Sequence, residues 1–375
     1  MSILKTVVKE SVGSIALISV FPIYTGTTTV VSDFKDALTQ MGYRVTIYQL
    51  VLPYESKKYL DSICKIEGKR FFIRELELPF NSLFTLPMNI PNIEEDIVIL
   101  TDPIMLRLKS RFRGSITIFY DMRELSKYNH NPLRKILYLY LLKFLQSNDK
   151  IIAISHFTEE IVKSIAGKDL SVQVVEGCSR FYLDVKFVYE RIKTIRLGKK
   201  QINVLYVAAD RPYKNINTFL NVAKIVNDTY SSANIHFILL SKLRNATKRS
   251  VKRMRLSNLE IIESTDNLSG IYYRSDIFLF PSVIEGFGLP LVEAMSFGIP
   301  IIYSNKPPMC DIVGNYGIPV DPFDVNSWIK ELLSLLDADR YEKMALLSYE
   351  RSKNYSFDKF KERLAEALRN FSLLK

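Results

Sequence analysis

Histidine and cysteine are scarce in this 375-residue sequence, which has three of each. Cys64, Cys178 and Cys310 lie far apart, and no CxxC pair or Cys/His metal spacing occurs. This argues against a disulfide framework and fits a reducing compartment. Cys178 and His156 lack an identifiable third residue that would orient them as nucleophile and base, so we expect no cysteine catalysis.

Long apolar runs are missing as well. No uncharged apolar stretch reaches about 18 residues, so we expect no transmembrane helix. The N-terminal segment MSILKTVVKESVGSIALISVF has no small-residue cleavage site, and its apolar part is more typical of a first β-strand than of a signal peptide. These absences predict a cytoplasmic protein, with a peripheral association at the membrane left open.

Acidic residues are outnumbered by basic ones, 40 to 51, which gives a net charge of +11. Such a balance favours an anionic partner or simply a solvated surface. The basic, aromatic stretches RLKSRFRG (107–114) and NPLRKILYLYLLKFL (131–145) are typical of a face that lies on an anionic membrane, or of a core helix with its lysines in water. No nucleic-acid-binding motif accompanies them, so we expect no nucleic-acid partner.

Short β-rich runs alternate with amphipathic stretches, and the length predicts two domains. The alternation predicts an α/β protein of two doubly wound domains, each a parallel sheet with helices on both faces. The predicted strands are 14–20, 44–50, 97–101, 115–120, 150–154, 202–208, 235–240, 259–262, 276–280 and 300–303. The predicted helices are 27–42, 130–147, 215–229, 289–297, 324–336, 340–353 and 357–371. Residues 185–200 are charged without a clear core period, so we interpret them as the interdomain connection.

The stretch EGFGLPLVEAM (285–295) combines two carboxylates with a glycine-rich helix start. Gly286 and Gly288 allow a ligand to approach the backbone closely, and the helix N-terminus attracts anions. Glu285 precedes the helix and Glu293 lies about one turn inside it, where each carboxylate can accept hydrogen bonds from a sugar diol. Spacing alone leaves open that they are an ordinary loop acid and an ordinary first-turn acid.

The extended stretch EGFGLPLVEAMSFGIPII strongly resembles the signature of retaining glycosyltransferases of family four, in which two glutamates are separated by seven residues. Further segments resemble the same family: KIIAISHFTEEIV (150–162), VVEGCSRFYLD (174–184), MCDIVGNYGIPVDPFD (309–324) and the terminal YSFDKFKERLAEAL. The resemblance implies the GT-B fold, with two Rossmann-like domains that face a cleft. An acceptor-side domain would span 1–185 and a nucleotide-sugar domain 195–355, with the C-terminal helix 357–371 packing back on the first.

The resemblance also implies roles within the glutamate motif. Glu285 would contact hydroxyls of the transferred sugar, and Glu293 would bind the ribose of the nucleotide. The backbone amides of Phe287, Gly288 and Leu289 would meet sugar hydroxyls and phosphate.

A second motif, VLYVAADRPYKN (204–215), places Lys214 after a predicted strand and at a helix start. A lysine there is a point charge for a diphosphate. The family commonly has Gly-Arg at the beginning of this segment. Here the arginine position is Ala209, and Arg211 is a substitute in a different register.

The first domain departs further from the family pattern. The family's Gly-Gly loop is FPIYTGTTT (21–29) here, which keeps only Gly26 clearly. Tyr120-Asp121 stands where the family often has His-Asp. A tyrosine donates a hydrogen bond but carries no positive charge near neutral pH. The resemblance implies that Gly26 and Tyr120, like Arg211, help to bind the donor. Gly26, Tyr120 and Asp121 would also line the acceptor side, with Asp121 either catalytic or purely structural.

Together these features predict an enzyme that moves a sugar from a nucleotide-diphosphate sugar to a hydroxyl of a glycan or lipid-linked glycan. The resemblance implies that the transfer retains the anomeric configuration. Its catalytic residues would be Glu285, Lys214 and Asp121. No cofactor and no metal are expected, because the Asp337-Ala-Asp339 sequence lies between two predicted helices rather than after a strand. Two alternatives stay open: a non-catalytic homologue that acts as a binding or scaffold subunit at a membrane, and a nucleotide-sugar epimerase.

Overall fold

A computed structural model describes residues 12–19, 26–49, 93–103, 105–106, 109, 112, 114–122, 125, 132–166, 170–198 and 201–373. The chain forms two compact units, the first made of residues 1–176 and 360–375 and the second of residues 177–359. No helix in the described ranges is long and apolar enough to cross a bilayer.

The first unit is built on a six-stranded parallel sheet in the order β2-β1-β3-β4-β5-β6. Its strands are β1 (Gly13–Ser19), β2 (Tyr43–Gln49), β3 (Ile97–Leu100), β4 (Ile116–Phe119), β5 (Lys150–Ala153) and β6 (Ser171–Val174). Its helices are α1 (Gly26–Gln40), α2 (Pro132–Leu142) and α3 (His156–Ala166). The inner strands β3 (IVIL) and β4 (ITIF) are almost continuously apolar, because helices cover a parallel sheet on both faces, whereas the edge strands β2 (YRVTIYQ) and β6 (SVQV) include polar residues. From Phe360 onward the C-terminal helix belongs to this unit, where its Phe360 ring packs edge-on against Phe34.

The second unit has another six-stranded parallel sheet, in the order β12-β11-β10-β7-β8-β9. Its strands are β7 (Ile202–Val207), β8 (Ile235–Leu240), β9 (Leu259–Ile262), β10 (Ile277–Phe280), β11 (Ile301–Ser304) and β12 (Ile318–Val320). Its helices are α4 (Val185–Arg196), α5 (Ile216–Thr229), α6 (Asn245–Met254), α7 (Leu268–Arg274), α8 (Leu289–Ser296), α9 (Met309–Val313), α10 (Val325–Ser334), α11 (Ala338–Ser352) and α12 (Phe357–Asn370), the last continuing into the first unit.

The strand order of the second sheet indicates where a ligand would bind. The chain runs outward from β7 through β8 to β9 on one side, and from β10 through β11 to β12 on the other. The adjacent strands β7 and β10 therefore form the topological switch point. Ligands of open α/β sheets bind in the crevice beyond the carboxyl ends of two such strands.

The structure corrects the interpretation of residues 185–200. Most of this stretch is helix α4, which belongs to the second unit and begins at the Asp184 N-cap. Val188, Ile192 and Ile195 are buried at helical spacing. The prediction that the stretch lacks a core-facing side was wrong, because lysines and arginines outnumber and mask the three core positions. Strand β12 was missed because it has only three residues with a central proline, which suits the edge of the sheet.

Candidate functional site

Two of the predicted site residues meet at the switch point of the second unit. Lys214 lies in the loop after β7 and Glu285 in the loop after β10. The Lys214 Nζ is 2.7 Å from each carboxylate oxygen of Glu285, and the side chains are only 13% and 6% exposed. A carboxylate this buried needs a charged or hydrogen-bonding partner, and the ammonium supplies one.

The Tyr206 hydroxyl contacts both of these loops. Tyr206 lies fully buried on β7, and its hydroxyl donates a hydrogen bond to the Lys214 carbonyl and lies 3.0 Å from the Ser282 Oγ. Burial first, and then the charge of Glu285, raise the pKa of Tyr206 well above its usual range. The hydroxyl therefore stays protonated and keeps its donor role. The Val283 amide adds a second tie by donating to the Tyr213 carbonyl at 2.8 Å.

Asn215 forms a third connection between these loops. It adopts the left-handed conformation, with φ of 52°, between the short turn that carries Lys214 and helix α5. Its side-chain amide donates to the carbonyls of Pro281 at 3.2 Å and Pro322 at 2.7 Å. Asparagine and glycine adopt this conformation most readily, so Asn215 suits this position.

Arg211, the predicted substitute for the family arginine, has an exposed side chain, while its carbonyl accepts a hydrogen bond from the Lys214 amide. The sequence interpretation missed its neighbour Asp210, which is buried and held by the Arg244 amide at 2.7 Å and guanidinium at 3.2 Å. Burial alone would raise the pKa of Asp210, but hydrogen bonds from Thr247 and Arg244 together lower it below its usual value. This pair anchors the Lys214 loop to helix α6.

The glutamate motif forms a tight turn into helix α8. Gly288 has a φ of 113°, a conformation that favours glycine, and Leu289 begins the helix. The Phe287 ring is buried and packs 5.8 Å from the Tyr355 ring, so only its backbone remains for a ligand. The amides named in the sequence prediction thus surround a helix N-terminus, where backbone N–H groups favour an anion.

Glu293 is half-buried on α8 and accepts a 2.7 Å hydrogen bond from the Tyr272 hydroxyl. Tyr272 is fully buried, with its ring stacked 5.4 Å from Phe297 and tilted by 55° against Phe181 at 5.9 Å. Burial first, and then the Glu293 charge, raise the pKa of Tyr272 well above its usual range. No sequence signal pointed to this tyrosine, since the contact joins residues on two different helices that are 21 positions apart in the sequence.

In the first unit, the structure describes Tyr120, Asp121 and Gly26, whereas Thr25 and the rest of 20–25 lie outside the described residues. Gly26 begins α1, and Tyr120 is buried immediately after β4 with the half-buried Asp121 beside it. Burial, followed by the charges of Asp102 and Asp33, raises the pKa of Tyr120 well above its usual range. These two buried carboxylates were missed because nothing in their local sequence marks them.

Taken together, the basic stretches 107–114 and 131–145 contain both buried and exposed residues. In α2, Leu141 and Leu142 belong to the core, whereas Lys135 and Ile136 are exposed. Lys109 forms an ion pair with Asp149, while Arg107, Arg111 and Arg113 lie outside the described residues. Helix α2 thus has both a core-facing side and an exposed side.

The acidic pair Asp337 and Asp339 lies at a helix junction, as predicted. Asp337 caps α11 through the Arg340 amide at 2.8 Å, and Asp339 pairs with Arg196 at 2.7 Å. No group of three or more His, Cys, Asp or Glu that could hold a metal occurs within the described part of the chain. Metal independence stays a prediction.

Comparisons with known proteins match the second unit most directly. Residues 190–353 match the family model described as "Glycosyl transferases group 1". The O-antigen chain mannosyltransferase B of Escherichia coli is 26% identical over 252 residues, which cover 64% of this chain and 65% of that protein. The O-antigen chain mannosyltransferase RfbU of Salmonella typhimurium is 27% identical over 237 residues, 60% of this chain and 63% of the relative. The chain thus spans just under two thirds of the length of these relatives. The predicted resemblance to this group of glycosyltransferases is confirmed.

Solved structures match the whole chain at low identity. Sucrose-phosphate synthase from Thermosynechococcus elongatus superposes with a TM-score of 0.76 at 16% identity, covering 97% of this chain and 100% of that one. HepE from Anabaena in complex with UDP-glucose gives 0.72 at 12% identity, covering 95% and 99%. These likenesses, together with the two parallel sheets, confirm the predicted two-domain α/β GT-B fold.

Proposed function

We propose that the chain transfers a sugar from a nucleotide-diphosphate sugar to a hydroxyl acceptor with retention of configuration. The match of residues 190–353 to the group 1 glycosyl transferase model supports this proposal. The observation that carries this proposal is the buried Lys214–Glu285 pair at the switch point between β7 and β10. A ligand in that crevice meets a cation, a carboxylate and a helix N-terminus together.

The Lys214 ammonium supplies the charge that the leaving group needs. As the bond from the sugar to the diphosphate breaks, negative charge grows on the phosphate oxygens. Lys214 and the backbone amides around Leu289 stabilise that charge, an effect that contributes several kcal/mol when donors are preorganised. Arg211, exposed in the same loop, adds a second cation for the diphosphate. Stabilisation by these groups needs no metal, so activity in the presence of a chelator is part of the proposal.

Glu285 orients the transferred sugar. Its carboxylate is bonded to Lys214. We propose that a bound donor draws the ammonium toward the diphosphate while the carboxylate accepts hydrogen bonds from sugar hydroxyls. The ion pair therefore holds both groups in place before the donor arrives, and it keeps the buried carboxylate paired in the meantime.

Glu293 binds the ribose hydroxyls of the nucleotide. A carboxylate has about four acceptor positions, so it can hold the Tyr272 hydroxyl and both hydroxyls of a diol. The 2.7 Å bond from a fully buried tyrosine fixes the direction of the carboxylate. This fixed direction supports a role in which the carboxylate recognises one rigid ring.

The acceptor is proposed to be a glycan or lipid-linked glycan, bound in part by Gly26, Tyr120 and Asp121 of the first unit. The names of the two O-antigen chain mannosyltransferases support a glycan acceptor and a mannose donor as the first pair to test. The HepE complex with UDP-glucose makes a uridine donor the second choice. We place the reaction in the cytoplasm, with the exposed side of α2 as one contact for an anionic membrane.

The test is a transfer assay with GDP-mannose, UDP-glucose and UDP-N-acetylglucosamine, each with and without a glycan acceptor. The proposal expects nucleotide diphosphate release that increases with acceptor, and a product with the anomeric configuration of the donor by proton NMR. Donor conversion without an acceptor would indicate an epimerase. Nucleotide binding without turnover of any donor would indicate a non-catalytic homologue.

A further inference from the structure

Helix α6 and its flanking residues carry a dense cluster of positive charge. Residues 242–255 contain seven lysines and arginines and no acidic residue. All seven side chains are exposed. We call this set the basic face; its members are Lys242, Arg244, Lys248, Arg249, Lys252, Arg253 and Arg255.

Most of this charge is uncompensated. Arg244 is paired with Asp210 and Lys248 with Glu263. The other five cations have no ion pair with any residue that the structure describes. Within the described part of the chain, these five cations are therefore left to counter-ions from solvent or to an anionic ligand.

The cations lie on one side of the helix. At about 100° per residue, Lys248, Arg249, Lys252 and Arg253 fall within an arc of about 140°. Thr247 is buried on the opposite side. Like charges one helical turn apart, at 248/252 and 249/253, destabilise a helix. A helix that keeps this arrangement presents a nearly flat array of cations, which suits an extended anionic surface.

We propose that the basic face binds the anionic phosphate groups of a lipid bilayer. Clusters of four to eight lysines and arginines on an amphipathic helix are typical of such contacts. Residues 241–257 contain no aromatic side chain that could stack on a base, which disfavours single-stranded nucleic acid. This surface is separate from the one predicted around α2 and lies in the other unit.

The position of α6 relates the membrane contact to the site. The helix follows β8, the neighbour of β7, and the Arg244–Asp210 pair joins its start to the Lys214 loop. A bilayer bound there lies against the same unit that carries Lys214 and Glu285. Membrane binding through α6 would bring the enzyme to a lipid-linked acceptor, which resides in a membrane. This step of the inference rests on the proposed function.

The experiment measures binding of the full-length chain to vesicles of phosphatidylcholine alone or with about 30% phosphatidylglycerol, at low and high salt. The variant Arg249→Glu/Lys252→Glu/Arg253→Glu reverses three cations of the basic face. Its matched control is Lys193→Glu/Lys330→Glu/Lys343→Glu, which changes the net charge equally at three exposed lysines of the same unit. Circular dichroism checks that both variants are folded.

Each cation near an anionic surface changes binding about five-fold, so three should change it about 100-fold or more. We expect the basic-face variant to lose anionic-vesicle binding by roughly that factor, while the control loses far less, and high salt to weaken wild-type binding. Equal losses in both variants, or wild-type binding that ignores the phosphatidylglycerol content, overturn the proposal. So does a basic-face variant that loses affinity for a duplex oligonucleotide but keeps vesicle binding. Hydrolysis of the soluble donor, measured without vesicles, tests the proposed function separately.

Discussion

The Tyr272 hydroxyl donates a 2.7 Å hydrogen bond to the Glu293 carboxylate from a fully buried aromatic stack. Tyr272 is thereby a positioning residue for the group proposed to bind ribose. Because Tyr272 bonds Glu293 and the proposed catalytic pair is Lys214–Glu285, its effect on nucleotide binding can be separated from an effect on chemistry.

Tyr272→Phe should weaken nucleotide diphosphate binding about ten-fold while leaving kcat nearly unchanged. The ring keeps its packing, and only a hydrogen bond to a charged group, roughly 1.5–3 kcal/mol, is lost. Titration calorimetry measures the change. The control Tyr341→Phe removes another buried tyrosine hydroxyl of the same unit, which bonds the Asp276 carbonyl. Equal nucleotide affinity in both variants would show that Tyr272 does not position Glu293 for ribose binding.

Glu293→Ala should weaken nucleotide binding more than Tyr272→Phe does, because both the ribose bonds and the partner of Tyr272 disappear. We expect a loss of roughly 2–3 kcal/mol in binding free energy, which exceeds the ten-fold loss, about 1.4 kcal/mol, of Tyr272→Phe. The double variant should resemble Glu293→Ala alone, since the two residues act through one carboxylate. Additive losses in this double-mutant cycle contradict a shared role.

Asn215 offers a test of the loop that carries Lys214. Asn215→Gly keeps the left-handed backbone accessible and loses only the amide hydrogen bonds, whereas Asn215→Ala also strains the backbone. Urea unfolding should show Asn215→Ala less stable than Asn215→Gly by about 1–2 kcal/mol. Alanine as stable as glycine would mean that the left-handed conformation is not required.

The Asp210 carboxylate predicts a specific pH dependence. Its pKa in the folded protein is below its usual value, so ionisation stabilises the fold. This contribution is fully present above the unfolded pKa of about 4 and is lost as the pH falls through the lower folded value. Asp210→Asn should therefore lose stability at pH 6 and show a flatter decline below pH 4 in urea unfolding. A variant whose stability runs parallel to wild type at all pH values contradicts the assignment.

The sequence predicted the parts of this site that depend on short-range order. Strand-loop-helix spacing placed Lys214 and Glu285 in loops after strands, and Gly288 at a helix start. The contact between Lys214 and Glu285 could not be predicted from residues alone, since it depends on β7 and β10 being neighbours in the sheet. Asn215, directly after Lys214, could have indicated the left-handed turn, because asparagine adopts that conformation readily. Only the lysine was interpreted from the sequence.

The residues that support the site were harder to find. Tyr206 and Tyr272 are ordinary core tyrosines by sequence, and only tertiary packing brings their hydroxyls to Lys214 and Glu293. Helix α4 was not predicted because its basic residues obscure the buried side formed by Val188, Ile192 and Ile195. In both cases the decisive information is which side of an element faces the core, and local composition does not specify it.

Lys214 and Glu285 are proposed to act as one catalytic unit at the switch point. Steady-state turnover of the best donor by wild type, Lys214→Ala and Glu285→Gln tests this proposal most directly, with unfolding curves to confirm that each variant is folded. We predict that kcat falls about 10²- to 10³-fold in Lys214→Ala, and that Glu285→Gln also loses turnover while nucleotide diphosphate binding persists. Wild-type kcat in either folded variant would contradict the account.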